Sequence, residues 1–129
     1  MTKFDANQLK FDDKGLIPAV IQDIDNNEIL MVGYMNKEAV EKTVKGPFVN
    51  FYSRSRNKMW IKGESSGHTQ EVKEIYYDCD GDCLLIKVIQ KVAACHVGYR
   101  TCFFRKVEKN GEIKTVGTKL FEEEKVYKK

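Results

Sequence analysis

The chain has 129 residues, 42% of them hydrophobic and 32% charged; this excludes a disordered chain and fits one ordinary domain over residues 1–129, able to bury a core without metals or disulfides. The net charge of +3 is too mild to argue for a nucleic-acid partner. No apolar run reaches membrane-spanning length and the opening MTKFDANQLK lacks the apolar stretch of a signal peptide, so a cytoplasmic protein without a membrane partner is expected.

Residues 1–13 are polar around Phe4, Leu9 and Phe11 and read as an arm or short helix. LIPAVIQDI and EILMVGYM flank the turn-forming Asp25-Asn26-Asn27 and predict a β-hairpin. Asn36 is a suitable helix N-cap, Glu38 lies in the favourable first turn, and Ala39, Val40, Thr43 and Val44 make an apolar stripe. Gly46 and Pro47 end that helix. FVNFYS, the basic turn SRSRNK and MWIKGE predict a second hairpin. From Gln70, EVKEIYYDCD alternates as a half-exposed strand does, and CLLIKVIQKV is the most apolar strand, so it is placed centrally. A loop around Gly98 spans Cys95 to Cys102, and FFRKV and IKTV flank an Asn110-Gly111 turn. The C-terminal KLFEEEKVYKK reads as a frayed helix. About eight short strands and one clear helix make an α+β domain of mostly antiparallel sheet.

The chemistry concentrates between Asp78 and Cys102, which holds all four cysteines. In a reducing compartment such thiols point to metal ligation or catalysis. On an extended segment Asp78, Asp80 and Asp82 share one face and Cys79 takes the other. Three converging carboxylates repel unless a cation neutralises them, and magnesium is the natural occupant; a solvated acidic turn is the alternative. An EF-hand fails, because its glycine belongs at the sixth position and its glutamate at the twelfth, whereas Gly81 falls fourth and Ile89 twelfth. Three thiolates and an open position make a catalytic zinc; four make a closed structural one.

His68 lies in the polar, glycine-containing loop GESSGHTQ and is a candidate general acid or base, against the plainer reading of a surface histidine. His96 follows Cys95 directly and is a candidate metal ligand or a donor that orients one. Arg54, Arg56, Lys58 and Lys62 form a candidate phosphate cradle, against a solvated hairpin tip. Trp60 among them is expected in the core.

Taken together, SRSRNKMWIKGESSGHTQEV, DCDGD and ACHVGYRTCF, preceded by LIPAVIQD and EILMVGYMNKEAV, resemble the phosphoribosyl-AMP cyclohydrolase family of histidine biosynthesis over roughly residues 15–105. The resemblance implies a hydrolase that opens the adenine ring of N1-(5-phosphoribosyl)-AMP at the N1–C6 bond by zinc-activated water. It implies magnesium on Asp78, Asp80 and Asp82, and one zinc per subunit on Cys95 and Cys102, with Cys79 supplied across an intertwined homodimer. His68 is then the candidate proton shuttle, and Arg54, Arg56, Lys62 and His96 the candidate substrate-binding residues. With no room for the pyrophosphatase domain that many relatives carry, the monofunctional form is expected.

Cys83 and Val92 depart from the family pattern, which has a small apolar residue and, commonly, a glycine there. Two other readings compete. One is a structural zinc module using Cys79, Cys83, Cys95 and Cys102 in a protein or RNA interaction domain. The other is a redox switch of Cys79 and Cys83.

Overall fold

The computed structural model describes residues 2–121. The residues of the expected C-terminal helix from 122 onward lie outside this range.

The N-terminal arm forms one turn of 3₁₀-helix, Ala6–Gln8, closed by an Asp5 capping box. Ala6 and Leu9 are buried, and the Lys10 amide donates to the Gly81 carbonyl at 2.8 Å. The arm therefore braces the acidic turn before Cys83.

Strands β1 (Ile17–Asp23) and β2 (Ile29–Met35) pair antiparallel about the expected turn. Ile17, Ala19 and Ile21 point into the core with Met31 and Met35. Helix α1 (Lys37–Lys45) starts where Asn36 Oδ1 accepts the Ala39 amide at 2.8 Å and stops at Gly46, whose φ is +77°. Ala39, Val40 and Thr43 are buried as expected, but Val44 is 45% exposed. It sits beside Phe4 at the edge of the helix stripe. The Thr43 hydroxyl accepts the Asn50 amide at 2.9 Å, tying the helix to the strand that follows.

Strands β3 (Asn50–Ser53) and β4 (Lys58–Ile61) form the second hairpin. Phe51 is fully buried under Gly33, where a β-carbon would stand 2.5 Å from the ring. Trp60 packs on Phe51 with ring centroids 5.1 Å apart and is partly buried against the core. Strands β5 (Gln70–Tyr77) and β6 (Leu84–Gln90) complete a four-stranded sheet of order β2-β1-β6-β5. As expected β6 is central, its Leu84, Ile86 and Val88 filling the core. Its pairing with β1 is parallel, the one departure from the antiparallel pattern in this sheet. β7 (Arg105–Val107) and β8 (Ile113–Thr115) make a separate hairpin. Phe104 lies before β7, buried, with its ring stacked on Tyr99 at 4.0 Å.

Candidate active site

The Cys95–Cys102 segment is an irregular loop beyond the C-terminal end of β6. Its two arms are joined by the Ala94 amide on the Arg100 carbonyl at 2.9 Å and the Cys95 amide on the Tyr99 carbonyl at 3.3 Å. The Cys102 amide donates to the Leu30 carbonyl at 2.7 Å, so β2 carries one end of the loop. This folding makes the Cys95 and Cys102 thiols neighbours. Cys95 is buried, and Cys102 is exposed as a residue although its sulfur is turned toward the loop. Desolvation of the sulfur and the adjacent Cys95 push the Cys102 thiol up to about 11, with the Lys62 ammonium opposing them. Two free thiols brought side by side are a donor pair that fits a soft divalent cation.

Lys62, expected among the phosphate ligands, turns toward this loop. Its ammonium donates to the Ala94 carbonyl at 2.6 Å and lies over Trp60 at 5.6 Å. Burial pulls its pKa down, and the charges of Cys102 and Cys95 oppose that shift. Arg54 and Arg56 lie apart. Arg54 stacks over the Tyr34 ring at 4.0 Å and lines a depression of about 330 Å³ with Lys14 and Asn36. Arg56 lines another, of about 400 Å³, with Ser53, Lys58, Trp60 and Glu64. The two arginines thus face separate hollows at the β3–β4 hairpin.

His68 is held by a loop that folds back on itself: the Gly67 amide donates to the Gly63 carbonyl at 2.7 Å, and the His68 amide to Ser66 Oγ at 3.1 Å. The Gln90 side-chain amide, itself buried, donates to the His68 carbonyl at 3.3 Å and accepts from Gln70 at 2.8 Å. The His68 ring meets Phe121 edge-on at 5.0 Å, and its buried Nδ1 has no hydrogen-bond partner among the described residues. Burial, then the charges of Lys62 and Lys91, hold its pKa below 6.5. A neutral imidazole beside a lysine near two thiols can take up and return a proton at neutral pH. His96 is exposed in the turn after Cys95.

Asp78, Asp80 and Asp82 do converge, with carboxylate oxygens within 4.8 Å of one another. They do so differently from the expected extended segment. Residues 78–83 close the β5–β6 hairpin as a tight turn, with the Gly81 amide on the Asp78 carbonyl at 3.0 Å and Gly81 at φ +73°. Asp78 Oδ1 accepts the amides of Asp82 and Cys83 at 2.9 and 3.2 Å. Turn geometry therefore gathers the carboxylates, and strand alternation does not. Hydrogen bonding and charge from Asp80 and Asp78 push the Asp82 carboxyl up. This concentration of negative charge fits a hard cation such as magnesium. Among the described residues it is the only group of three or more potential metal ligands that one chain brings together.

Cys79 and Cys83 flank this turn, while Cys95 and Cys102 lie past the other end of β6. A strand of seven residues separates the pairs, about 20 Å at the usual rise. One chain therefore does not assemble the four-thiolate zinc module. Cys79 and Cys83 are free thiols in the structure.

Residues that the sequence did not single out also shape the site. Asp23 is buried and bonded to Arg100; burial pushes its pKa up, but the bonds from Arg100 and from the amides of Asp25 and Asn26 bring it below 3.8. An acidic residue just before a turn is a recognisable turn-former. Nothing in the local pattern points to Gln70, Gln90 or Arg100.

The family model described as phosphoribosyl-AMP cyclohydrolase matches residues 31–104. The chain is 56% identical to a phosphoribosyl-AMP cyclohydrolase of Methanosarcina barkeri, over 99% of this chain and 94% of that protein. It is 51% identical to one of Chlorobium phaeovibrioides, over 94% and 88%. A histidine biosynthesis bifunctional protein of Thermoanaerobacter pseudethanolicus is 52% identical over 93% of this chain and 55% of its own length. With this similarity running almost end to end, the chain belongs to the phosphoribosyl-AMP cyclohydrolase family.

Proposed function

We propose that the chain hydrolyses the N1–C6 bond of the adenine ring in N1-(5-phosphoribosyl)-AMP, giving the formimino-aminoimidazole carboxamide ribonucleotide in histidine biosynthesis. The observation that carries this reading is the meeting of the Cys95 and Cys102 thiols, Lys62 and the neutral His68 in one patch.

The ribosyl group on N1 makes the ring cationic, so C6 is open to attack by water. Cys95 and Cys102 would hold a zinc ion, which would supply Lewis acidity to activate water near neutral pH, as in zinc deaminases that act on the same carbon. His68 accepts the proton that the water releases on bonding to C6. It returns that proton to N1 as the N1–C6 bond breaks, while the second water proton leaves the C6 oxygen to solvent, forming the carboxamide carbonyl and discharging the ring's positive charge. Lys62 keeps positive charge beside the thiols. Arg54 and Arg56, which line separate hollows, would each hold one of the two substrate phosphates.

The third thiol is that of Cys79 from a second copy. Two features support a homodimer. Cys79 is exposed and about 20 Å from its own chain's thiol pair by strand length. The sheet face opposite the core also carries an apolar row, Val32, Val20, Leu85 and Tyr76, aligned across all four strands. Val32 and Tyr76 in it are 45% and 49% exposed. Asp78, Asp80 and Asp82, which converge in one turn, would hold magnesium.

The test is turnover of N1-(5-phosphoribosyl)-AMP, followed by ring opening, on protein stripped of metal and then given zinc and magnesium separately. Ring opening that returns with zinc supports the assignment. A folded protein with both metals bound and no turnover refutes it.

A further inference from the structure

Asp23 is the only buried carboxylate among the described residues, and the chemistry above does not use it. Its two oxygens serve different parts of the chain. Oδ1 accepts the amides of Asp25 and Asn26 at 2.7 and 3.1 Å and so shapes the β1–β2 turn. Oδ2 accepts a guanidinium N–H of Arg100, 77 residues away in sequence. The second arm of the Arg100 fork goes to Glu28, on the far side of the same turn. The Arg100 backbone carbonyl accepts the Ala94 amide, next to Cys95. Thr101 Oγ1 donates to the Ile29 carbonyl at 2.7 Å, and Cys102 is bonded to Leu30. Arg100 is therefore the point where the two cysteine-bearing arms of the loop and the β1–β2 turn are joined.

We propose that Arg100, clamped by Asp23 and Glu28, is a positioning residue that sets the separation of the Cys95 and Cys102 thiols for metal binding. This rests on the zinc reading of those thiols. A planar fork held at two carboxylates fixes direction as well as distance, which a lysine in the same place does not. Without the clamp the loop keeps its backbone bonds, but it can pivot about the Leu30 contact. The thiols then lose their fixed spacing. Residues that orient metal ligands from behind typically control affinity by about 10–100-fold.

The test is zinc affinity of the full-length protein, by competition with a chromophoric chelator at a temperature where every variant is folded. It is paired with the absorption spectrum of the cobalt-substituted protein, which reports thiolate geometry. Arg100→Gln and Asp23→Asn are each expected to weaken zinc by about 10–100-fold and to alter the cobalt bands, Arg100→Lys to recover little. In the double variant the losses should not add, since both remove one clamp. Val40→Ala, a core truncation in α1, controls for lost stability and should leave zinc affinity unchanged. Wild-type zinc affinity in a folded Arg100→Gln protein, or an equal loss in Val40→Ala, overturns the clamp and leaves the zinc reading standing. A wild-type protein that takes up no zinc overturns both.

Discussion

The backbone of Gly63 lies directly against that of His68: a β-carbon at position 63 would stand 2.5 Å from the His68 carbonyl carbon, and Gly63 has φ +87°. Only glycine accommodates both the close approach and the left-handed backbone. Gly63→Ala is expected to cost about 2 kcal/mol or more of stability and to move the His68 ring away from Lys62. Turnover should fall by about tenfold or more with zinc content unchanged, since losing general acid–base catalysis typically costs that much. Loss of zinc along with activity would instead tie Gly63 to the thiol loop.

With His68 as the proton acceptor proposed above, its lowered pKa predicts an acid limb of activity below 6.5. If the neutral imidazole is the active form, activity is lost as pH falls through that lowered value. Lys91 contributes to the shift by charge. Lys91→Gln removes that charge, so the limb should move upward, toward 6.5. A pH–kcat profile of both proteins decides it, and an unmoved or downward limb counts against His68 as the titrating base.

Cys83 is half-buried, and its thiol points to the Leu84 carbonyl at 3.7 Å, at the opposite end of β6 from the thiol pair. Cys83→Ala should keep full zinc content and turnover, at a stability cost of about 1 kcal/mol. Cys95→Ala and Cys102→Ala should lose both. Zinc stoichiometry measured on the three variants separates a three-thiol site from one using all four cysteines.

The separation of Cys79 from Cys102 gives a cross-subunit expectation. Cys79→Ala and Cys102→Ala proteins, each inactive alone, should regain activity when their subunits exchange, because half of the sites in a mixed dimer are then intact. Exchange shown by mass spectrometry without recovered turnover would rule out a shared site.

Val92 has φ +58°, a conformation that costs a β-branched residue about 1–2 kcal/mol. It follows β6 and begins the approach to Cys95. Val92→Asn, which tolerates this backbone region without adding glycine's freedom to the unfolded chain, should raise the melting temperature by about 3–5 °C. Val92→Gly should lower it little or not at all, because relieved strain offsets the added freedom. A clear loss in both variants would mean that the valine side chain makes a contact worth more than the strain.

Much of the local structure was legible because it is written in short-range pattern. Asp25-Asn26-Asn27, the Asn36 cap with Gly46, and Asn110-Gly111 each specify a turn or a helix end by their own backbone preferences. The alternation of Ile17, Ala19 and Ile21, and of Leu84, Ile86 and Val88, selects the buried face without reference to any other strand. The resemblance marked Val92 as a departure from an expected glycine, and its φ of +58° is a backbone region that glycine adopts readily.

Other features had no local signature. Three aspartates at alternate positions predict a shared strand face, but the β5–β6 hairpin must reverse there, and the Asp78 side chain binds the turn amides instead. Arg54 and Arg56 read as one basic cluster, yet a hairpin tip sends them to two hollows. Lys62 reads as part of that cluster until β4 ends at Ile61 and turns its ammonium onto Ala94.

By itself, the sequence determined the strands, the helix and the family, because periodicity, capping and motif order are properties of neighbouring residues. Tertiary structure decided which of the reactive groups meet. The parallel pairing of β1 with β6 brings the Asp23 turn beside the end of β6, where Arg100 can reach it. That placement puts Cys102 next to Cys95 and leaves Cys79 at the far end of the strand. Such distances are set by long-range packing and a partly buried ion pair, which no stretch of neighbouring residues encodes.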